Sequence, residues 1–254
     1  EIVEYPVEVD RAGAGLDNYR IAVLSDLHVG ELISLDHLER ILETTRSARP
    51  NLIVLAGDLV EDPILAGAAF DAIATLRSSA QVVAVTGNHE LYAGNGLAID
   101  ALRMRNIPVL RNESIERDGL QIAGVDDPEF LRPLGISTDE AISRAVANVE
   151  PGKPLLLVSH QPRSVERAAE VGVDVMVSGH THGGQVPPFN LLTRMAFPRF
   201  SGLYRIDRMH LVVGRGAGFW GPPIRVFSDP EIPVIVLKGR KAPDGAAVNG
   251  ASGS

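Results

Sequence analysis

The 254-residue chain contains no cysteine, which removes disulfides, thiolate nucleophiles and thiolate zinc sites together. Any metal must be held by nitrogen and oxygen. Long apolar runs are also missing. Hydrophobic residues make up 45% of the chain, yet they come in stretches of about four to seven, against the roughly 18 to 20 needed to cross a bilayer. Basic residues are the minority, 24 against 32 acidic, for a formal charge of -8. That balance repels polyanions and argues against a nucleic acid duplex as partner. There is no initiator methionine before Glu1, so an N-terminal targeting sequence is expected to be missing from this segment.

What is present is an alternation of short strands and helices. "EIVEYPVEV" alternates acidic and apolar residues from Val3 to Val9, as a half-exposed strand does, and Pro6 places it at an edge. "RIAVLSD", "NLIVLAGD" and "QVVAVTGN" read as buried strands ending at Asp26, Asp58 and Asn88. Between them, Leu35, Leu38, Ile41 and Leu42 fall at helical spacing, and residues 66 to 76 form a second helical stretch. Right-handed crossovers and a parallel sheet follow from that order. Later strands are expected in "LQIAGVD", "PLLLVSH", "VDVMVSGH", "HLVVGRG" and "PVIVLKG", with helices over 138–149, capped by Ser137 or Thr138, and over 164–171. So many strands with so few helices call for two stacked sheets. Residues 1–238 are expected to form a single domain, and 239–254, without apolar periodicity, a flexible tail.

Metal-type residues stand at the ends of five of these strands: Asp26 with His28, Asp58, Asn88 with His89, His160, and His180 with His182. Five of the seven histidines lie in this set. In open α/β sheets the carboxyl ends of strands converge on one rim, where ligands bind. Taken singly, each motif has an ordinary structural explanation: a helix-capping aspartate, a tight turn, an imidazole bonded to backbone. Taken together, in this order, they describe a site. A bridging carboxylate at Asp58 can hold two cations and let a shared water lose a proton near neutral pH. Asn88 supplies an uncharged oxygen, and "GHTH" on an extended backbone would set the 180 and 182 imidazoles on one side.

The ordered set "SDLH", "GD", "GNHE", "SH" and "GHTH" resembles the calcineurin-like metallophosphoesterase superfamily, from about Arg20 to Leu237. Further segments, "AGVDD", "SHQP", "GHTHGGQ", "GRGAG" and "PPIRVFSDPEI", are similar to its YkuE-like subgroup of bacterial phosphodiesterases. The resemblance implies a four-layer α/β/β/α sandwich of two mixed sheets flanked by helices. It implies one metal held by Asp26, His28, Asp58 and His182, and a second by Asp58, Asn88, His160 and His180. His89 would contact the phosphate and protonate the departing oxygen. Glu90 departs from the commoner aspartate, which leaves open how it orients His89 or the metals.

The activity implied is that of a phosphodiesterase or pyrophosphatase, cleaving ester or anhydride bonds by direct attack of a hydroxide bridging the two metals. The alternative of another class is a catalytically silent binding module of the same fold. Nitrogen and oxygen ligands suit Mn²⁺, Fe²⁺ or Fe³⁺, Zn²⁺ and Co²⁺ better than Mg²⁺.

Three features lie beside this set. "GAGFWG" matches a dinucleotide fingerprint, but Pro222 and Pro223 follow it where the phosphate-binding helix would have to start. Arg215 in "GRGAG" and Arg163 in "HQPRS" are candidate substrate contacts, while His37 and His210 have no motif around them and read as structural. The segment 187–204, "PPFNLLTRMAFPRFSGLY", has the composition of a lip touching acyl chains or a membrane surface, or of a loop folded over its own core. With the subgroup resemblance it points to lipid-linked or nucleotide-containing substrates. It also points to a membrane-associated or exported location over a freely cytoplasmic one.

Overall fold

A computed structural model describes residues 1–92 and 97–239. The edge strand β1 (Ile2–Val9) is followed by β2 (Arg20–Leu24) and by α1 (Leu35–Ser47), whose buried face carries Leu38, Ile41 and Leu42. Ser34 caps α1 by accepting the His37 N–H. Next come β3 (Leu52–Leu55), α2 (Pro63–Ala74) and β4 (Gln81–Ala84). Asp62 caps α2, and Pro63 sits at its first turn, where a missing N–H costs nothing. Two short helices, α3 (Asn88–Tyr92) and α4 (Leu97–Met104), lead to the hairpin of β5 (Glu113–Arg117) and β6 (Leu120–Gly124). The chain continues through α5 (Pro128–Leu131), α6 (Thr138–Ala145), β7 (Leu155–Val158), α7 (Val165–Glu170) and β8 (Val175–Ser178). It closes with α8 (Phe189–Ala196), β9 (Gly202–Ile206), β10 (Met209–Val213) and β11 (Ile232–Gly239).

One sheet has the order β1-β11-β2-β3-β4, the other β5-β6-β7-β8-β10-β9. Both are mixed: β2, β3 and β4 run parallel with β11 reversed beside β2, and β6, β7, β8 and β10 run parallel between antiparallel β5 and β9. The two-residue period of each strand assigns side chains to layers. Ile21, Val23, Val54 and Val83 meet Ile122, Leu156, Val177 and Val212 between the sheets. Their neighbours Ala22, Leu24, Ile53 and Leu55 pack under α1, α2 and α4, and Ala123, Leu157, Met176 and Leu211 under α6 and α7. Strands buried on both faces have to be apolar throughout, which is why they read as unbroken runs. The expected four-layer sandwich is therefore the architecture.

Several boundaries differ from the sequence expectation. The helix expected over 138–149 ends at Ala145, and Ser137 rather than Thr138 is its cap. β5 and β9 were not anticipated. The signal for β5 was Asp118–Gly119, whose positive φ values of 53° and 84° make the tight turn into β6. Strand β11 runs to Gly239, and the tail expected beyond it lies outside the described residues. No helix follows "GAGFWG" before β11, so nothing there can receive a dinucleotide phosphate.

Candidate metal centre

The strands stop short of the polar residues that follow them, so the site is built on loops at the ends of β2, β3, β4, β7 and β8. Asp26, His28, Asp58, His180 and His182 all have positive φ, between 47° and 68°. For residues with a β-carbon such backbone costs roughly 1 to 3 kcal/mol each and persists only where the surroundings over-determine it. The expectation of an extended "GHTH" is corrected here. Thr181 is right-handed helical between two left-handed histidines, so a turn, not a strand, sends the imidazoles of 180 and 182 to different partners.

Those partners form two groups. In the first, His182 Nε2 lies 3.4 Å from Asp26 Oδ1 and 3.2 Å from His28 Nε2. In the second, His160 Nε2 lies 3.1 Å from Asp58 Oδ2 and 3.2 Å from His180 Nδ1. Asp58 Oδ2 is also 3.9 Å from His28 Nε2, so this carboxylate oxygen stands between the two. Nitrogen and oxygen donors bound at about 2.0–2.2 Å to one tetrahedral ion are themselves about 3 Å apart. These separations fit. Asn88 offers a sharper test: its Oδ1 is buried and has no hydrogen-bond partner in the protein. Leaving such an oxygen unpaired costs about 1–3 kcal/mol, which a cation at the site would offset.

Hydrogen bonds behind the donors fix which atom each one presents. His160 Nδ1 donates to Ala56 O at 2.7 Å, and His28 Nδ1 to Glu61 Oε1 at 2.7 Å, so in both rings Nε2 is the atom turned inward. Both Asp26 carboxylate oxygens accept the His180 N–H, at 3.0 and 3.1 Å, which ties the first loop to the last. Burial pushes the His180 imidazole down to about 4 and His182 down to about 3, leaving both neutral and able to ligate at pH 7. Burial works against ionisation of Asp58 too, but the adjacent His160 and His28 outweigh it and hold that carboxyl well below the usual range. The same pairing, again against burial, raises His160.

Residues 19–184 match the family described as Calcineurin-like phosphoesterase. The chain belongs to that family. It is 32% identical over 240 residues to a protein of Helicobacter pylori named uncharacterized metallophosphoesterase, covering 93% of this chain and 64% of the relative. A zebrafish relative named transmembrane protein with metallophosphoesterase domain is 31% identical, covering 94% and 57%. The metallophosphoesterase YkuE of Bacillus subtilis is 25% identical, covering 94% and 85%. This chain thus spans less than two thirds of the first two relatives. Among solved structures, TT1561 of Thermus thermophilus superposes with a TM-score of 0.50 at 11% identity, over 78% of this chain and 89% of the other, which is a likeness of fold.

Of the donor residues, His28, Asp58, Asn88, His180 and His182 form the floor of a cavity of about 640 Å³. His89 is on its wall, with Nδ1 3.0 Å from Glu61 Oε1 and its own backbone N–H donated to Asp58 Oδ1 at 2.9 Å. Burial and the neighbouring His28 push the His89 imidazole down, against the pull of Asp58. Neither candidate arginine reaches the wall. Arg163 donates to Gln161 Oε1 and lies 4.8 Å over the Phe197 ring. Arg215 is committed to Glu231, with Nε 2.8 Å from Oε2; that glutamate is buried, and a buried carboxylate requires such a partner. His37 and His210 lie away from the cavity.

Two residues at the site, Glu61 and Arg225, escaped the sequence reading, and the role of a third, Glu90, was left open by it. Glu61 accepts from His28 and stands 3.0 Å from His89 Nδ1, and its position three residues after Asp58 was the available signal. Glu90 does not orient His89. Its carboxylate is buried and accepts three backbone N–H groups, from Asp58 at 2.9 Å, Leu59 at 2.8 Å and Gly87 at 2.6 Å. Arg225, inside "PPIRVFSDPEI", buries its guanidinium against the carbonyls of Arg215 at 2.8 Å, Ser228 at 3.1 Å and His182 at 3.3 Å, and burial pushes it down to about 10. The glycines of "GRGAG" serve close approach: a β-carbon on Gly218 would stand 2.4 Å from Leu27 O and push the loop off the Asp26 turn.

Proposed function

We propose that this chain is a two-metal phosphoesterase that hydrolyses phosphodiester or pyrophosphate bonds. The observation that carries the reading is the Asp58 oxygen standing between two donor groups, beside the orphaned Asn88 oxygen. Asp26, His28, Asp58 and His182 would hold one ion, and Asp58, Asn88, His160 and His180 the other. Bound there, the ions would supply a water nucleophile at neutral pH and offset the charge of the phosphoryl oxygens. The donor set suits Mn²⁺, iron, Zn²⁺ or Co²⁺.

The chain's own residues do the rest. Glu61 Oε1 stands 3.0 Å from Nδ1 of His89, which leaves Nε2 for the substrate; in the imidazolium form, which the Glu61 and Asp58 charges and a bound phosphate favour against burial, His89 would give its Nε2 proton to the departing oxygen and be left neutral. The test is to strip the protein of metal and add back Mn²⁺, Zn²⁺, Fe²⁺ or Mg²⁺ in turn, measuring bound ions and hydrolysis of bis-p-nitrophenyl phosphate and a pyrophosphate diester. Two ions per chain with turnover support the reading. Metal uptake without hydrolysis of either substrate favours the silent binding module instead.

His89→Ala is expected to slow esters with poor leaving groups by about 10²–10⁴-fold, the usual worth of a positioned acid. Nitrophenyl esters should lose far less, since nitrophenolate departs without a proton. Equal losses across a leaving-group series would remove the acid role and leave phosphate positioning.

Membrane contact is the second part of the proposal. Between residues 190 and 210 the chain carries four arginines and one acid, Asp207, in an otherwise acidic protein. Helix α8 has no buried residue, and Leu191 and Met195 are exposed on it. The zebrafish relative is named a transmembrane protein. Among the described residues of this chain, no helix is long and apolar enough to cross a membrane. Cosedimentation with anionic vesicles, but not with zwitterionic ones in high salt, is the expected result. Loss of binding in Leu191→Ser/Met195→Ser would locate it, and equal recovery with no vesicles present would refute it.

A further inference from the structure

The cavity joins two unlike surfaces. Its floor is the cluster of imidazoles and carboxylates, and its walls above that floor are apolar: Phe189 and Leu192 from α8, Trp220 and Ile224 from the loop before β11, with Val186 and Tyr92. Phe189, Leu192, Trp220 and Ile224 are all more than half exposed, at 64%, 60%, 58% and 55%. Large side chains left open on both walls of one cavity, directly above a polar floor, mark a surface that something apolar covers. Phe189 and Leu192 are three residues apart on α8 and so share the face turned to the cavity.

The polar groups that could read a base or a sugar on these walls are already engaged. Gln185 follows the two glycines of the histidine motif, and its side chain is spent on the backbone of the facing loop, at Trp220 and, at 3.4 Å, the Pro222 carbonyl. Its Nε2 donates to Trp220 O at 2.7 Å, and its Oε1 accepts the Trp220 N–H at 3.0 Å. The Gln185 carbonyl accepts the Val226 N–H at 2.8 Å as well, so the two walls are tied together. Thr181 donates its hydroxyl to Phe200 O. Above the floor, Thr193, the Tyr92 hydroxyl and the Trp220 indole N–H are the side-chain hydrogen-bonding groups that remain among the described lining residues. That is too little for a nucleobase, which needs a set of fixed donors and acceptors along its edge.

We infer that the substrate is an amphiphile, a phosphoester whose phosphate sits on the metal floor and whose aliphatic chain lies between α8 and the Trp220–Ile224 loop. The inference rests on the two-metal reading and names the part of the substrate that reading leaves open. Gln185 acts as a positioning residue that sets the width of the slot.

The test reads binding, not turnover. Alkylphosphonates from butyl to dodecyl, below their micelle-forming concentrations, are titrated calorimetrically into protein whose Mn²⁺ content has been measured. Affinity is expected to rise about fourfold per added methylene until the walls are covered. Leu192→Ser combined with Trp220→Ser should flatten that slope. Ile64→Ser, on the exposed side of α2, should leave it as in the wild type. A slope independent of chain length in metal-loaded protein overturns the chain site while the phosphoesterase reading stands. Tighter binding of uridine or adenosine monophosphate than of octylphosphonate also overturns it, in favour of a base site. Failure to take up metal overturns the two-metal reading and this inference with it.

Discussion

Asp58→Ala is expected to lose both metal ions and to lower turnover about 10³-fold or more. In the proposed assignment this carboxylate is the one group shared by the two donor sets, and its Oδ2 lies 3.1 Å from His160 and 3.9 Å from His28. Charge stabilisation by bound metal is worth several kcal/mol at the transition state, and about 1.4 kcal/mol corresponds to a factor of ten. Removal also frees the His89 N–H that Asp58 holds at 2.9 Å, so the wall residue loses its place together with the ions. Asp58→Asn separates the two effects. An amide oxygen can still accept the His89 N–H, but it brings no charge to hold a pair of cations. Elemental analysis of both variants alongside the rate decides the matter. Two ions and a normal rate in Asp58→Ala would show that the bridging assignment is wrong.

The second large effect is expected from Glu90, which touches neither metal donor side chain nor substrate. Burial, and the Asp58 charge with it, push the Glu90 carboxyl up, while three backbone N–H groups counter the shift. Glu90→Ala leaves those N–H groups of Asp58, Leu59 and Gly87 buried without an acceptor. At about 1–3 kcal/mol for each abandoned donor, the loss is roughly 3 kcal/mol or more, or about 10 °C in melting temperature for a domain of this size. The Asp58 loop then has nothing to hold its left-handed turn, and metal affinity should fall too. Glu90→Gln keeps one acceptor oxygen in place and is expected to lose about half as much stability. Thermal unfolding of metal-free protein checks this directly. A Glu90→Ala variant within about 0.5 kcal/mol of the wild type, the range of an ordinary surface change, would mean that water replaces the carboxylate and that the loop needs no such clamp.

Gly87 shows how tightly that loop is packed. A β-carbon there would stand 2.2 Å from Asp58 Oδ1 and 2.6 Å from the Asp58 N–H nitrogen. Backbone atoms cannot yield by that much. The glycine in "GNHE" is therefore a matter of contact, whereas the sequence allowed it to be read as a turn residue.

Much of this could be read from the chain alone. Strands buried on two faces announce themselves as apolar runs, and the polar residues that end five of them gather at one rim because parallel strands point the same way. The order of "SDLH", "GD", "GNHE", "SH" and "GHTH" therefore determined the fold family and which residues gather at the ends of those strands. Its reading failed where local pattern and tertiary contact part company. Period two predicted an extended "GHTH", but packing against Asp26, 154 residues away in sequence, bends it into a turn. Arg215 stood beside a glycine-rich motif and was read toward substrate, yet the buried Glu231 holds it. The role of Glu90 was left open between His89 and the metals, and its carboxylate instead reaches the backbone of another loop.

Residue type and spacing determine which chemistry a chain can assemble, because those are properties of single segments. Which atom of each residue faces the floor, and which groups are already spent, depends on contacts between segments far apart in the chain. Only the tertiary structure decided that Glu61 links two imidazoles, that Gln185 ties the walls of the slot, and that α8 leaves its apolar face open above the metal-binding floor.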